Sequence, residues 1–414
     1  MRVLLWTQYF WPETFRINEL AGSLAKSGLS VTVLTGKPNY PGGAIFPGYR
    51  WAGMQREKFS GAELVRIPLL PRGLGSSLRL MLNYLSFIIS GYVFAPFAFR
   101  GVKFDVVLVY APSPLLQALP AILLARLKRA PLIVWVQDLW PESLVATGNV
   151  RNPLVLWSVE VAVRHIYRRA DSILIQSEAF RAPVARLADD EGKIRFFPNS
   201  ADVPDLTPAE GEKAHLLANE MRERFSVVFT GNIGQAQAME TIVEAAEQLR
   251  NHPGIRLYVV GDGSRSEWIA EEVRQRKLEN LRLTGRFPAG DIPVLLNAAA
   301  VLLVTLRNDA VGTYTIPSKL QGYLAAKRPI IACINGEGAR VVEEAQAGLV
   351  CPAEDSKALA DAVLRLHAMS ADERMSLGQN GYRYFMNHFE AKHLNRELIA
   401  HLEWCHRQRR GAKE

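Results

Sequence analysis

The sequence has few of the residues that build disulfide frameworks or metal sites. Its three cysteines, Cys333, Cys351 and Cys405, are far apart, which excludes a small extracellular scaffold held by disulfides. No histidine occurs in residues 1–164, and no Asp-X-Asp triplet occurs anywhere. We therefore expect no bound metal ion and no cofactor. Gly-X-Ser-X-Gly and Walker A patterns are also absent, so the sequence carries no signature of a serine esterase or a P-loop enzyme.

The composition is that of a globular protein with an anionic partner. With 414 residues the chain fits two domains of ordinary size, and 49% of the residues are hydrophobic. The 49 Lys and Arg outnumber the 41 Asp and Glu, which favours phosphates, anionic lipid or nucleic acid as partners. The sequence opens with the strand-like RVLLWTQYF rather than a basic and apolar leader, so we expect an intracellular protein.

Short apolar runs alternate with helical patterns twice along the chain. The first set reads VLLWT, VTVLT, LVRIP, DVVLVY, LIVWVQD, SILIQS and IRFFPNS, and the second reads SVVFTG, IRLYVVG, LRLTG, VLLVT, PIIAC and GLVCP. Uninterrupted runs of this kind are typical of strands buried on both faces, hence of parallel sheets. The pattern predicts an α/β fold with two doubly wound, Rossmann-like halves. The proline- and acid-containing NSADVPDLTPAEGEK resembles a hinge between them near residue 205.

One apolar segment leaves three interpretations open. Residues 80–99 carry no charge and are bracketed by Arg79 and Arg100, which is about the length needed to cross a bilayer. The segment is either a helix pair buried in the first domain, a true span, or a helix lying on an anionic membrane surface. If it contacts lipid, serine at Phe87 and Ile88 should release the protein from membranes.

The clearest candidate phosphate site is FTGNIGQAQ, which follows a strand. Gly231, Asn232 and Gly234 permit a backbone turn in front of a helix, and we expect free amides there to face a diphosphate. A purely structural turn is the alternative.

Two further turns follow the next strands. VVGDGSR supplies Arg265, with Asp262 interpreted as a turn residue, and LTGRFP leaves Arg286 and Phe287 beside a ring-shaped ligand. Because the carboxyl ends of parallel strands meet at one edge of a sheet, we expect the three turns to line the same crevice.

The stretch TIPSKLQGYLAAKRPIIA adds a cation to this crevice. Pro317 suits a first helical turn, Ser318 offers a hydroxyl, and Lys319 places an ammonium beside the same amides. The alternative for Lys319 is a solvated surface lysine.

The first domain offers two candidate residues. Arg16, in YFWPETFRINEL, lies near a helix start, where a cation is unfavourable unless an anion or an acidic neighbour such as Glu13 or Glu19 compensates it. Asp138, in WVQDLWPES, ends a buried strand. Its carboxylate could bind a sugar hydroxyl or take a proton, or it could cap the next helix.

The segments YFWPETFRINELAGSLAKSG, LTGKPNYPGG, VQDLWPES, GNIGQAQ, GDG and PSKLQGYLAAKRPI occur in this order. Together they resemble the bacterial retaining glycosyltransferases of family four, most closely the WbuB-like, L-fucosamine transferase-like group. The resemblance implies a GT-B fold whose two domains face a cleft. It assigns acceptor binding to residues 1–204, nucleotide-sugar binding to residues 205–385, and a helix that crosses back to the first domain to residues 386–414.

The resemblance also implies an activity. A metal-independent, retaining transfer would move an N-acetylated sugar, such as N-acetyl-fucosamine, from UDP to an undecaprenyl-diphosphate-linked saccharide. This reaction would serve O-antigen, lipopolysaccharide or capsule polysaccharide biosynthesis. The protein would then be cytoplasmic and peripheral on the inner face of the cell membrane, with the anionic membrane surface as a partner.

Three positions depart from the family pattern. Two family glutamates correspond to Tyr314 and Gly322, and a family lysine corresponds to Gln237. The second glutamate binds ribose in the family, so Gln321 or a backbone group must replace it here. The charge on the phosphates would be met by Lys319, with Arg16 or Arg265 assisting.

Rival functions are less consistent with the residues. A Rossmann dehydrogenase needs Gly-X-Gly-X-X-Gly after its first strand, where this chain reads TQYFWPETF. A UDP-sugar epimerase-like enzyme shares the two-domain layout and is separated only by its product. A non-catalytic anion or nucleotide-sugar binder stays open, but no aromatic and basic platform predicts nucleic-acid binding.

Overall fold

The structure is a computed structural model that describes residues 1–74, 76–146, 152–203, 211–308 and 310–411. It divides into two compact units. The first unit comprises Met1–Pro198 and Leu394–Glu414, and the second comprises Asn199–His393. The domain boundary predicted between residues 204 and 205 lies outside the described residues. The division between the units falls instead between Pro198 and Asn199, at the first residue of the predicted hinge.

The strands form one sheet in each unit. In the first unit they are β1 Arg2–Trp6, β2 Ser30–Gly36, β3 Gln55–Phe59, β4 Ala62–Ile67, β5 Val106–Ala111, β6 Leu132–Val136, β7 Ser172–Ile175 and β8 Ile194–Phe196. In the second unit they are β9 Phe225–Thr230, β10 Ile255–Val260, β11 Leu281–Gly285, β12 Val301–Thr305, β13 Ile330–Cys333 and β14 Gly348–Cys351. Every run predicted as a strand forms one.

The helices of the described residues alternate with these strands. They are α1 Arg16–Lys26, α2 Ser77–Ala98, α3 Ala118–Lys128, α4 Glu142–Ala146, α5 Pro153–Arg169, α6 Arg181–Ala188, α7 Glu212–Arg222, α8 Met239–Gln248, α9 Ser266–Arg276, α10 Ile292–Ala298, α11 Ala310–Tyr314, α12 Ser318–Ala325, α13 Glu337–Glu344, α14 Ser356–Ala368, α15 Ala371–His388 and α16 Ala391–Gly411. Single turns of 3-10 helix occupy Leu115–Gln117, Glu178–Phe180, Glu191–Lys193, Gln235–Gln237 and Ala289–Asp291.

The sheet of the first unit has the order β3-β4-β2-β1-β5-β6-β7-β8. All neighbours are parallel except β3 and β4. The edge strand β3, QREKF, has no buried residue, so its polar sequence gave no apolar run from which to predict it. The central strands are buried on both faces, as the uninterrupted apolar runs predict.

The sheet of the second unit is wholly parallel, with the order β11-β10-β9-β12-β13-β14. Separate apolar clusters cover its two faces. One cluster contains Leu320, Tyr323 and Leu324 of α12, which packs on the sheet through these side chains. The carboxyl ends of β9, β10 and β11 lie side by side at one edge, and the glycine turns leave the sheet there.

The apolar segment forms most of helix α2. It is one helix of 22 residues, so the predicted helix pair is wrong. Its inner face is buried and includes Asn83, whose side-chain amide donates to the Leu70 carbonyl at 2.6 Å and whose Oδ1 accepts from Gln8 at 2.7 Å. Phe87 and Ile88 are also buried, so serine there would disrupt the core rather than test lipid contact.

The outer face of α2 is apolar and exposed. It presents Leu78, Met81, Leu82, Leu85, Ile89, Tyr92, Val93 and Phe97. By length and composition α2 is the candidate membrane span among the described residues. Helix α2 thus buries one face in the protein and exposes eight large apolar side chains on the other, and the membrane span and the membrane-surface helix both stay predictions.

The C-terminal residues return to the first unit. The helical pattern breaks at Phe389 and Glu390, where Glu390 bridges to Ala201, and α16 begins at Ala391 rather than at the predicted residue 386. Its apolar positions join the core of the first unit through Leu394, Leu398, Leu402 and Cys405. These residues recur at helical spacing, so one stripe of α16 faces that core.

Candidate functional site

The glycine turns after β9 and β10 are packed backbone to backbone. Gly231 has φ of 127° and Gly261 has φ of 149°, conformations that side chains strongly disfavour. A Cβ on Gly261 would lie 1.9 Å from the carbonyl oxygen of Gly231. A Cβ on Gly263 would lie 2.4 Å from the carbonyl oxygen of Ile233. Contact between the two turns therefore requires glycine at 261 and 263, and the positive φ favours it at 231.

Most amides of the first turn already have partners. The amides of Gly231, Ile233 and Gly234 donate to the Val260 carbonyl at 2.9 Å, the Asp262 carbonyl at 2.9 Å and the Gln237 side chain at 3.1 Å. The prediction that this turn offers free amides to a diphosphate is wrong for these three groups. The Asn232 side chain packs between the two turns, because Cβ atoms on Gly234 and Gly263 would lie 2.6 and 2.8 Å from it.

Lys319 brings a cation to this turn. Its ammonium lies 3.7 Å from the centroid of the Phe229 ring, and a Cβ on Gly231 would be 3.4 Å from Nζ. The Nζ atom is buried and has no hydrogen-bond partner among the described residues. The alternative of a solvated surface lysine is therefore wrong.

The unpaired ammonium is electrostatically costly. Burial lowers the pKa of Lys319 from 10.5 to about 7, because removal from water penalises the charged form. Phe229 offsets part of this cost through its ring face. An anion beside Nζ would restore the charged form, and the turn at Gly231 is the backbone next to it.

Helix α12 is held in place by its own residues. The Tyr323 hydroxyl accepts a hydrogen bond from the Thr230 amide at 2.8 Å, which fixes one turn of α12 to the last residue of β9. Pro317 occupies the N-cap position, one residue earlier than predicted, and Ser318 is the exposed first helical residue. These contacts, which the sequence does not reveal, place Lys319 against Gly231.

The other predicted cations of this unit are Arg265 and Arg286, which differ in whether they already have a partner. Arg265 forms an ion pair with Glu240 and stacks on Trp268 at 4.0 Å from the ring centroid, so its predicted phosphate contact would require exchange of partners. Arg286 is exposed, and Phe287 packs partly against the core rather than standing free beside a ring.

Asp262 is a turn residue, as the sequence predicts. Its Oδ1 accepts from the Gly263 amide at 2.8 Å and from the Ser266 hydroxyl at 2.9 Å. These bonds lower its pKa, since they favour the ionised form. The Asp262 carboxylate therefore stabilises the second glycine turn.

Gln321 has a structural role. It is buried, and its side-chain amide donates to the Asn199 carbonyl at 2.6 Å. It therefore ties α12 to the first residue of the unit, and its nitrogen is not available for the predicted ribose contact. By contrast, a Cβ on Gly322 would meet no atom within 4 Å, so the position where the family has its second glutamate is open.

In the first unit Asp138 connects two turns at the carboxyl edge of the sheet. Its Oδ2 accepts from the amide and the hydroxyl of Ser113 at 3.1 and 2.8 Å. The Ser113 hydroxyl in turn accepts from Trp140 Nε1 at 3.1 Å. Asp138 therefore joins the segment after β6 to the segment after β5, in place of the predicted helix cap.

Arg16 pairs with Glu19 at 3.8 Å, and both side chains are more than one-third exposed. This is one of the two acidic partners that the sequence allows. Glu13, the other, is buried instead, and its carboxylate accepts from the amides of Phe10, Asn39 and Tyr40. Burial raises the pKa of Glu13 to about 7.

An aromatic cluster near Arg16, formed by Tyr9, Phe15 and Tyr40, was not predicted from the sequence. Tyr9 stacks on Phe15 with ring centroids 5.3 Å apart, and Tyr40 lies 5.4 Å from Phe15. The Arg72 guanidinium is 5.1 Å from the Tyr40 ring centroid. The signal was present in YFWPETF and NY, whose aromatic residues follow β1 and β2, but their contact depends on the fold.

Metal-ligand chemistry finds no support within the described ranges. They contain no group of three or more His, Cys, Asp or Glu side chains that could hold a metal ion.

Comparison with known proteins identifies the class. The family model "Glycosyl transferase 4-like domain" matches residues 14–200, and "Glycosyl transferases group 1" matches residues 224–369. The glycosyltransferase WbjE of Pseudomonas aeruginosa is 27% identical over 317 residues, which are 74% of this chain and 78% of WbjE. The colanic acid biosynthesis glycosyl transferase WcaI of Escherichia coli K12 is 26% identical over 336 residues, which are 78% of this chain and 81% of WcaI.

Solved structures share the whole fold. Sucrose-phosphate synthase from Thermosynechococcus elongatus superposes with a TM-score of 0.73 at 18% identity, over 97% of this chain and 98% of that one. Anabaena HepE in complex with UDP gives 0.67 at 14% identity, over 97% and 100%. The chain is therefore a glycosyltransferase of the GT-B fold, with a glycosyltransferase 4-like domain at residues 14–200 and a group 1 domain at residues 224–369.

Proposed function

We propose that the enzyme transfers an N-acetylated sugar, of the N-acetyl-fucosamine kind, from UDP to a lipid-diphosphate-linked saccharide with retention of configuration and without a metal ion. The donor diphosphate binds at the carboxyl edge of the second sheet. The product contributes to a bacterial surface polysaccharide. The relatives WbjE and WcaI support the glycosyl-transfer class, and WcaI supports the polysaccharide role through its colanic acid assignment.

The observation that carries the proposal is the buried ammonium of Lys319. It has no hydrogen-bond partner among the described residues and lies beside the turn at Gly231. A buried charge is normally paired, because desolvation without compensation is costly. The diphosphate of a nucleotide sugar would supply the missing anion, and HepE, whose fold is similar, was solved in complex with UDP.

The chemistry follows from charge on the leaving group. The bond between the anomeric carbon and the diphosphate oxygen breaks, and a bond from the acceptor hydroxyl oxygen to that carbon forms on the same face. The hydroxyl proton passes to the departing diphosphate. Lys319 stabilises the charge that grows on UDP, which is the step where a preorganised donor accelerates the reaction most. Arg286 is an exposed cation near this edge, whereas Arg265 must first leave Glu240.

The acceptor side is assigned to the first unit. The carboxyl edge of its sheet carries Asp138, Arg16 and the aromatic cluster of Tyr9, Phe15 and Tyr40. Asp138 orients this edge through Ser113 and offers a carboxylate to a sugar hydroxyl.

The outer face of α2 fits an acceptor that is held in a membrane. Residues 64–104 contain no Asp or Glu but include Arg72, Arg79, Arg100 and Lys103, whereas Arg66 in the same stretch is buried and paired with Glu57. An apolar helix face with cations at both ends of the helix suits the surface of an anionic bilayer. The enzyme would then work at the cytoplasmic face of the cell membrane.

The experiment that tests the function is product analysis. The purified protein is incubated with a panel of UDP-sugars and an undecaprenyl-diphosphate-linked saccharide, and the product is identified by mass and by the anomeric proton coupling. One donor should give a lengthened lipid-linked saccharide with the donor's anomeric configuration, with EDTA present. An epimerised UDP-sugar and no transfer product would instead establish the epimerase-like alternative.

A further inference from the structure

A second basic site lies at the opposite edge of the second sheet. A cavity of about 590 Å³ opens beside the residues that precede three strands, namely Arg224 before β9, Ala300 before β12 and Pro329 before β13. Since parallel strands all run the same way, this amino edge is remote from the glycine turns and Lys319. The cavity is therefore not part of the proposed donor site.

The charged residues that line the cavity are all cations. They are Arg222, Arg224, Lys327, Arg328 and Arg374, and the lining includes no Asp or Glu. Within the described ranges none of the five has a carboxylate within salt-bridge distance. This differs from the rest of the unit, where arginines such as Arg256, Arg276 and Arg340 are paired with glutamates.

Neutral groups hold these cations in place. Arg328 contacts the carbonyl and side-chain oxygens of Asn297, and Arg224 donates to the Pro253 carbonyl at 3.2 Å. Arg374 donates to the Leu366 carbonyl at 3.1 Å, and the Lys327 ammonium lies 4.1 Å from the Tyr382 ring centroid. These contacts fix the positions of the cations, but they are all with neutral groups and so do not neutralise the positive charge of the cavity.

The electrostatic consequence is visible at Arg328. Burial and the nearby charge of Arg222 both lower its pKa. Like charges that are held together raise the local positive potential, and a concave site focuses that potential toward an anion. The cations repel each other, and a bound anion would offset this repulsion.

The floor of the cavity is small and apolar. Ala298, Ala299, Ala325 and Ala326 are buried there, and their short side chains leave the space open. Met221 and Tyr382 add apolar surface at the walls. A ligand with an anionic group and a compact body, such as a phosphorylated metabolite, would match the cations and the floor together.

We propose that this cavity binds a phosphate-bearing anion at a site separate from the donor site. The phosphate oxygens accept hydrogen bonds from Arg222, Arg224 and Arg328, and the body of the ligand lies on the alanine floor. The phosphate belongs either to a free metabolite or to a lipid headgroup, and the chemistry of recognition is the same.

The test titrates inorganic pyrophosphate into the full-length protein by calorimetry. Lys319→Ala is used as the background, so that the donor site does not contribute. In this background Arg222→Gln with Arg224→Gln should weaken pyrophosphate binding roughly tenfold or more, since two charge-assisted hydrogen bonds are lost. Both arginines are exposed, so the fold should persist, and circular dichroism checks it.

The matched control is Lys357→Gln with Arg365→Gln, which removes the same charge from exposed positions on α14. A second arm measures sedimentation with phosphatidylglycerol and phosphatidylcholine vesicles. Weaker binding in the cavity variant alone supports the site. If pyrophosphate binding is weakened, the ligand is a free phosphate. If only co-sedimentation with phosphatidylglycerol vesicles is weakened, the ligand is a lipid headgroup. Equal losses in both double variants, or no binding by the background protein in either arm, would overturn it.

Discussion

The ammonium of Lys319 lies 3.7 Å from the centroid of the Phe229 ring, at the point where β9 gives way to the turn at Gly231. The two residues lie 90 positions apart in the sequence, on α12 and β9, and the ammonium has no hydrogen-bond partner within the part of the chain that the structure describes. The ring stabilises the buried charge without neutralising it. This leaves the charge available to a ligand.

Lys319→Ala should abolish most of the transferase activity without unfolding the protein. Loss of one preorganised donor at a developing charge costs on the order of a hundredfold or more in rate. Removal of an unpaired buried charge should leave stability unchanged or higher. Steady-state kinetics with the UDP-sugar and a thermal melt measure both effects. A variant with wild-type kcat and KM would remove Lys319 from the site.

Binding of UDP should depend on pH through Lys319. The pKa of its ammonium is about 7 in the free protein, and a bound diphosphate raises it because it favours the charged form. Binding at pH 8 should therefore take up a proton, and affinity should fall roughly tenfold per pH unit above 7. Calorimetry in two buffers of different ionisation enthalpy counts the protons. Lys319→Met should take up none, and equal counts for the two proteins would contradict the assignment.

Tyr323→Phe should impair both stability and catalysis. The substitution leaves the buried Thr230 amide without its acceptor at 2.8 Å, which costs roughly 1–3 kcal/mol. It also frees α12, and with it Lys319, from the end of β9. We expect a lower denaturation midpoint and a lower kcat. Tyr382→Phe, on α15 of the same unit, is the control, and comparable losses in both variants would argue against a special role for Tyr323.

Gly322→Glu should be accepted and should strengthen UDP binding. A Cβ at this helical position has open space around it, and glycine within a helix costs about 1 kcal/mol relative to better helix formers. If the introduced carboxylate contacts the ribose, affinity for UDP should rise more than affinity for 2′-deoxy-UDP. Gly322→Gln is the control for size. An unchanged preference between the two nucleotides would show that position 322 does not face the sugar.

The outer face of α2 should bind anionic vesicles. Ile89→Ser with Phe97→Ser removes two side chains that are 62% and 73% exposed, so co-sedimentation with phosphatidylglycerol vesicles should decrease while the melting temperature stays the same. Leu216→Ser, on α7 of the second unit and 63% exposed, is the matched control. If the α2 variant sediments as the wild type does, this face has another role.

The positions of the glycine turns could be predicted from the sequence, but the partners of their amides could not. FTGNIGQAQ and VVGDGSR were located correctly after β9 and β10 because glycine after a buried strand is a local signal. The prediction of free amides in the first turn was wrong for three of its groups. Gly261 and Gly263 are needed because their turn touches the turn after β9, and the amides of Gly231, Ile233 and Gly234 already have hydrogen-bond partners in the two turns. Contacts between distant segments have no local signature.

The sequence alone determined the α/β class and the two wholly or largely parallel sheets, because uninterrupted apolar runs indicate strands that are buried on both faces. It also determined the glycosyltransferase class, because the order of the motifs resembles that family. Tertiary structure decided which cations are available. Arg265 is paired with Glu240 while Lys319 is left unpaired beside Phe229. It also decided that Phe87 and Ile88 face the core while Ile89 and Phe97 face outward. The physical reason is that burial and pairing depend on neighbours that the chain brings together only when it folds.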